Sequence, residues 1–175
     1  METHVVIDHV GTTGGRGAAP AVPPDESARA LHYVGALLRD IQDVNVTLFH
    51  VLNPMPRELM EHGGSENPET EHHLGEQLRK DQEEWIRTEG AIEYPILVTA
   101  MERLGQTGFP LDHVTLKLGH ERDIADSIMD EARAGGYGTV VVTRCGPTGT
   151  KRLFSSRITD RLVRDLSGVA LWVLG

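Results

Sequence analysis

Short apolar runs alternate along the chain with longer stretches in which apolar residues return every three or four positions. Five runs read as buried strands: His4 to Val10, Val44 to Leu52, Val114 to Leu118, Thr139 to Thr143 and Val169 to Leu174. Each is rich in β-branched residues and bounded by turn formers. From Asp25 to Ile41, Ala28, Leu31, Val34, Leu38 and Ile41 recur at helical spacing, and Pro24 and Asp25 suit a helix start. Ile124, Ala125, Ile128, Met129 and Ala132 predict a second helix from Glu121 to Ala134, with Gly135-Gly136 as its stop. Ile158, Leu162 and Leu166 predict another from about Ser156 to Leu166, and Gly168 precedes the last strand. Strands that alternate with helices pair in parallel, and right-handed crossovers put helices on both faces of the sheet. The expected fold is α/β: an open five-stranded parallel sheet, Rossmann-like, in one domain over residues 1–175.

The middle of the chain is less regular. Asn53 to Pro68 holds three Pro and two Gly and reads as a loop, whereas Glu69 to about Leu104 is helical in composition. Tyr94-Pro95 is expected to kink or split that helix. Eleven Asp/Glu fall between Glu58 and Glu93 against Arg79, Lys80 and Arg87, so residues 53–93 read as an acidic loop–helix insertion with a solvated face. Gly11 to Pro24 is rich in Gly, Ala and Pro and is expected to be a long flexible loop. It has no lysine for a Walker loop. Gly15-Arg16-Gly17 begins like a dinucleotide fingerprint, but Pro20, Pro23 and Pro24 stand where that motif's helix should start.

Composition narrows the classes. A chain of 175 residues, 39% hydrophobic, can bury a sizeable core as one soluble unit. Its formal net charge of −9 argues against general nucleic-acid binding and against attraction to an anionic membrane. No apolar run approaches the roughly 20 residues of a membrane span, and Met1-Glu2-Thr3-His4 lacks the look of a secretory signal, so a cytoplasmic location is expected. Cys145 is the single cysteine, which excludes an intrachain disulfide.

The segment of greatest chemical interest runs from the strand Thr139 to Val142 through Thr143-Arg144-Cys145-Gly146-Pro147-Thr148-Gly149-Thr150-Lys151-Arg152 into the last helix. Unpaired backbone N–H groups in such a loop, together with a helix dipole, favour a phosphate group. From Thr143 to Gly175 there are six Lys/Arg against two Asp, a basic island in an acidic chain. The plain alternative is a solvated basic helix face. Cys145 sits near Arg144 and Lys151, which suits either a low-pKa thiol or a bystander. His62, Glu66, His72 and His73 have imidazole and carboxylate groups but no firm ligand spacing, so a metal site is not expected. No nucleophile elbow, metalloprotease helix or acid/base pair is evident, so no catalytic residue is assigned.

Over nearly its whole length the order of elements, with Val46-Thr47-Leu48-Phe49-His50-Val51, Gly119 to Val142, Lys151-Arg152-Leu153-Phe154 and Val169 to Val173, resembles the universal stress protein family. The family's nucleotide-binding signature is Gly, two residues, Gly, nine residues, Gly, then Ser or Thr. Here those positions fall on Thr143, Gly146, Ser156 and Arg157, and only Gly146 conforms. Thr143 and Ser156 crowd a phosphate's approach to the backbone. Arg157 replaces a hydroxyl with a guanidinium that can grip phosphate oxygens. Placed in the first turn of its helix, Arg157 opposes the macrodipole at about 0.3 to 1 kcal/mol, which a bound phosphate would offset. Ser156 there could equally be a plain N-cap.

The resemblance further implies adenine contacts at Asp8 and Val51. The nucleotide-binding set it implies is Asp8, Val51, Thr143, Gly146, Ser156, Arg157 and Ile158, for ATP with Mg or another adenine nucleotide at weakened affinity. It also implies a homodimer through Val169 to Leu174. The function so implied is stress-linked binding or regulation without turnover, the alternative being a dimeric interaction protein whose motif is vestigial.

Overall fold

The computed structural model describes residues 3–8, 25–52, 55–60, 67–119, 123–143 and 151–174, and at 3–8, 25–26 and 151–157 the backbone alone. In chain order the elements are β1 (Thr3–Asp8), α1 (Asp25–Leu38), β2 (Val44–Val51), α2 (Pro68–Gly105), β3 (Val114–Gly119), α3 (Ile124–Ala134), β4 (Thr139–Thr143), α4 (Lys151–Asp165) and β5 (Ala170–Leu174). Short 3-10 turns at Arg57–Leu59 and Leu111–His113 precede α2 and β3. The strands pair in parallel in the order β3-β2-β1-β4-β5. The chain thus winds outward from β1 through β2 to β3, then crosses back to β4 on the other side of β1. The reversal of winding lies between β1 and β4.

Strand alternation divides the apolar side chains between two cores. Val44, Val46 and Leu48 of β2 and Val141 of β4 meet Leu31, Val34 and Leu38 of α1 and Leu97, Ala100 and Leu104 of α2. On the opposite face Phe49, Val140 and Val142 meet Ala125, Ile128, Met129 and Ala132 of α3 and Leu162 of α4. The helical periods read from the sequence are the stripes that cover these faces.

A polar network lies beside the second core, with Tyr137 and Thr47 buried and Lys117 half-exposed. The Tyr137 hydroxyl lies 3.1 Å from Thr47 Oγ1 and 2.6 Å from Glu131 Oε1, and its single proton goes to the carboxylate. Lys117 Nζ donates to the same carboxylate oxygen at 2.6 Å. That bond holds the Lys117 ammonium above its ordinary pKa, against some opposition from burial. Burial, and secondarily the bond to Glu131, raises the Tyr137 phenol above its own ordinary value.

Several elements differ from the sequence reading. Rather than breaking at Tyr94-Pro95, α2 is one helix of 38 residues with Pro95 inside it. Proline removes one intrahelical bond, to the carbonyl of Ala91. Ala91 and Pro95 both face solvent, where water can serve that carbonyl, while buried Ile96, Leu97, Ala100 and Leu104 hold the next turns to the sheet. Helix α1 stops at Leu38 rather than Ile41, and Asp43 turns the chain into β2 with a left-handed φ of 62°. Helix α3 starts at Ile124 because the Asp123 side chain accepts the Asp126 N–H and caps it there; Gly135 and the left-handed Gly136 end it, as the Gly-Gly pair predicted. The largest change is in α4, which begins at Lys151 and not near Ser156. Lys151 to Phe154 are adequate helix formers, so the helix starts five residues earlier than its apolar period suggested. The expected flexible loop 11–24, like Gly146, Cys145, His62 and Glu66, lies outside the described residues.

Candidate functional site

The carboxyl edge of the sheet gathers the ends of β2, β1 and β4 side by side. Asp8 closes β1, which pairs with β2 in the register Asp8 to Phe49, and Val51 ends β2 two residues further on. Thr143 closes β4 and is buried. At about 4.8 Å between neighbouring strands, the three ends span roughly 10 Å, the scale of a nucleoside. They bracket the reversal between β1 and β4, the place where open α/β sheets bind ligands. Of the residues proposed from sequence, the fold therefore brings Asp8, Val51 and Thr143 together through their strand ends.

The β2 side of this edge is firmly held. Val51 is partly buried against the second core, and the Leu52 N–H donates to Gly119 O at 2.8 Å, carrying the pairing with β3 one residue past the strand. Ile158 also packs against the second core and anchors α4. Ser156 and Arg157 fall in the second turn of α4, the sixth and seventh residues of a helix that starts at Lys151. This corrects the expectation of an N-cap serine and a first-turn arginine. Arg157 therefore does not oppose the helix dipole, whose effect is confined to the first turn. Arg161, one turn beyond Arg157, has the better-defined role. Its Nη1 lies 2.7 Å from Asp123 Oδ1 and its Nη2 2.5 Å from Asp126 Oδ1. A guanidinium of α4 thereby joins the capped start of α3, at the same edge of the sheet.

Two features of this region went unassigned in the sequence reading. One is the clamp of Arg161 on Asp123 and Asp126, which lie 38 and 35 positions before it, and it has no local signal beyond the capping Asp. The other is a buried pair under the end of β2. His50 Nε2 and Glu93 Oε2 are hydrogen-bonded at 2.5 Å, with the two residues 1% and 2% exposed. A signal did exist: Glu93 lies on the same helical stripe as Gly90, Ile96, Leu97 and Ala100, where an acid is out of place unless it has a partner. Of the histidines weighed for metal, His72 lies 3.6 Å from Glu76, one turn on along α2, and both are exposed.

Comparison with known proteins agrees with this architecture. The model of the universal stress protein family matches residues 19–168. No curated protein matches the chain by sequence. Among solved structures, a universal stress protein in complex with cAMP is similar at TM-score 0.58 and 15% identity, over 99% of this chain and 96% of that one. A universal stress protein from Archaeoglobus fulgidus is similar at TM-score 0.58 and 15% identity, over the whole of both chains. One from Lactobacillus plantarum is similar at TM-score 0.59 and 14% identity, over 99% of this chain and 97% of that one. At these identities the likeness is one of fold. Among the described residues no helix is long and apolar enough to cross a membrane.

Proposed function

The chain belongs to the universal stress protein family, and from that premise we propose that it is a cytoplasmic binding and regulatory protein of the stress response that holds an adenine nucleotide without turning it over. The observation that carries the reading is the meeting of Asp8, Val51 and Thr143 at the reversal of the parallel sheet. The ligand is ATP with its Mg, or another adenine nucleotide; the cAMP bound to one protein of similar fold supports that class. In this reading Asp8 and Val51 are assigned to the base, and Thr143, Gly146, Ser156, Arg157 and Ile158 to the phosphates. Only Gly146 keeps the family's signature. Each lost charged hydrogen bond is worth about 1.5 to 3 kcal/mol, so affinity falls roughly tenfold to several hundredfold below that of a complete site. The whole chain acts as one domain, and the exposed edge of β5 pairs two copies into a dimer.

A thermal melt of nucleotide-stripped protein with and without millimolar Mg-ATP, with AMP for comparison, tests the site. Ligand at 100 times its dissociation constant adds about 2.7 kcal/mol to the folded state, so a rise of several degrees is expected. No rise with any adenine nucleotide would favour the second reading, an interaction protein with a vestigial motif. One observation favours that reading. With α4 starting at Lys151, Ser156 and Arg157 stand a turn away from the free N–H groups that would receive a phosphate.

A further inference from the structure

The His50–Glu93 pair has no part in the site as described so far, yet it adjoins that site along β2. His50 is the penultimate residue of β2, and its neighbour Val51 closes the strand. Glu93 belongs to the first turns of α2 that are buried at all: the buried residues of that helix are Gly90, Glu93, Ile96, Leu97, Ala100 and Leu104, all in its second half. The pair therefore joins strand to helix at the point where α2 passes the carboxyl edge of the sheet. We propose that the buried His50–Glu93 pair is a positioning device, which locks the end of β2 against α2 and so holds Val51 and Leu52 in place as one wall of the ligand site. The inference rests on the nucleotide-site reading above.

Three observations support it. Two ionisable side chains this deeply buried are a poor way to stabilise a core, since an apolar pair of like volume usually does as well or better. Their retention at the ligand edge calls for a directional role. Apolar contacts such as Leu97 on the sheet are non-directional and tolerate sliding, whereas a 2.5 Å hydrogen bond admits one register of helix on strand. The helix also lies close over the next strand. A Cβ at Gly90 would stand 3.3 Å from Leu118 Cδ1, so a shift of α2 is transmitted to the ends of both β2 and β3, where Leu52 N–H bonds Gly119 O.

The test compares wild type with the double variant His50→Leu/Glu93→Leu, which replaces the pair by apolar groups, and with Glu93→Gln, which keeps a hydrogen bond to His50. Mg-ATP affinity is measured by calorimetry, and exchange of the Leu52 amide hydrogen by NMR. The double variant is expected to melt near the wild-type temperature, bind Mg-ATP at least tenfold more weakly and exchange the Leu52 amide at least tenfold faster. Glu93→Gln should stay within threefold on both readings. A double variant that folds, binds and protects Leu52 like wild type overturns the proposal. Should it fail to fold, wild type supplies the test: saturation with Mg-ATP must move the His50 Hε1 resonance, and an unmoved resonance in protein that binds overturns the proposal. If wild type binds no nucleotide while the double variant loses Leu52 protection, the nucleotide reading fails and the positioning role stands.

Discussion

Replacing Asp123 by alanine should loosen the start of α3 in two separable ways. The Asp123 Oδ1 atom accepts the Asp126 N–H at 3.1 Å and also receives the Arg161 guanidinium at 2.7 Å. Loss of an N-cap costs about 1 kcal/mol, within a range of roughly 0.5 to 2. The ion pair joins side chains that are 34% exposed on Arg161 and 49% on Asp123, so screening by water limits its worth to about 0.2 to 1 kcal/mol. Arg161 keeps Asp126 and, at 3.7 Å, Asp165, which holds the loss towards the lower end. The sum for Asp123→Ala is therefore about 1 to 2 kcal/mol, or roughly 2 to 8 °C in a chain of this size. Asparagine caps a helix as well as aspartate but carries no charge, so Asp123→Asn should lose only the ion-pair share, about 0 to 3 °C. Thermal and urea denaturation at low salt and at about 0.5 M NaCl separate the two, because salt screens the ion pair and leaves the cap intact. Equal losses in the alanine and asparagine variants at both salt concentrations would refute the reasoning, since the cap would then contribute nothing.

Alkaline stability should follow Lys117 and Tyr137, whose pKa values are both raised in the folded state. Their contribution is fully present below pH 10.0, the ordinary value of the phenol, and is lost as pH rises through the folded values. The urea midpoint should thus hold steady between neutral pH and pH 9 and fall above about pH 10, and Tyr137→Phe should flatten that fall while costing about 0.5 to 1.5 kcal/mol at neutral pH. Gly35→Ala should destabilise by about 1 to 3 kcal/mol in urea titration, because the new Cβ would overlap Thr107 Oγ1 and stand 2.9 Å from Leu104 Cδ1 where α1 crosses α2. On the β5 edge Val173 is 38% exposed, so Val173→Lys should convert the proposed dimer to monomer in light scattering with its fold intact; a mass unchanged by the substitution would refute pairing through β5.

The order of strands and helices was legible because burial imposes a period on each element. A strand such as Thr139–Thr143 is apolar on both sides, since the helices that cover the two faces exclude water from both. α3 was legible down to its stop, as Gly135-Gly136 can take a left-handed turn and few other dipeptides can. Boundaries without such punctuation were not. Nothing in Lys151 to Ser155 separates a loop from a turn of helix, so apolar residues alone place the start of α4 too late. Proline at 95 was over-read for the converse reason: its local cost is fixed, but four buried residues downstream outweigh it.

Short-range periods and a pattern of residues were enough for the fold class, the family and the end of β4 at Thr143 on the carboxyl edge. How that edge is held depends on contacts between residues far apart in the chain. Glu93 and His50 are 43 residues apart, and Arg161 and Asp126 are 35 apart. A charged side chain carries no mark of its partner across such distances. The partner is set by which helix lies over which strand, and that follows from the packing of two whole cores rather than from any local run of residues.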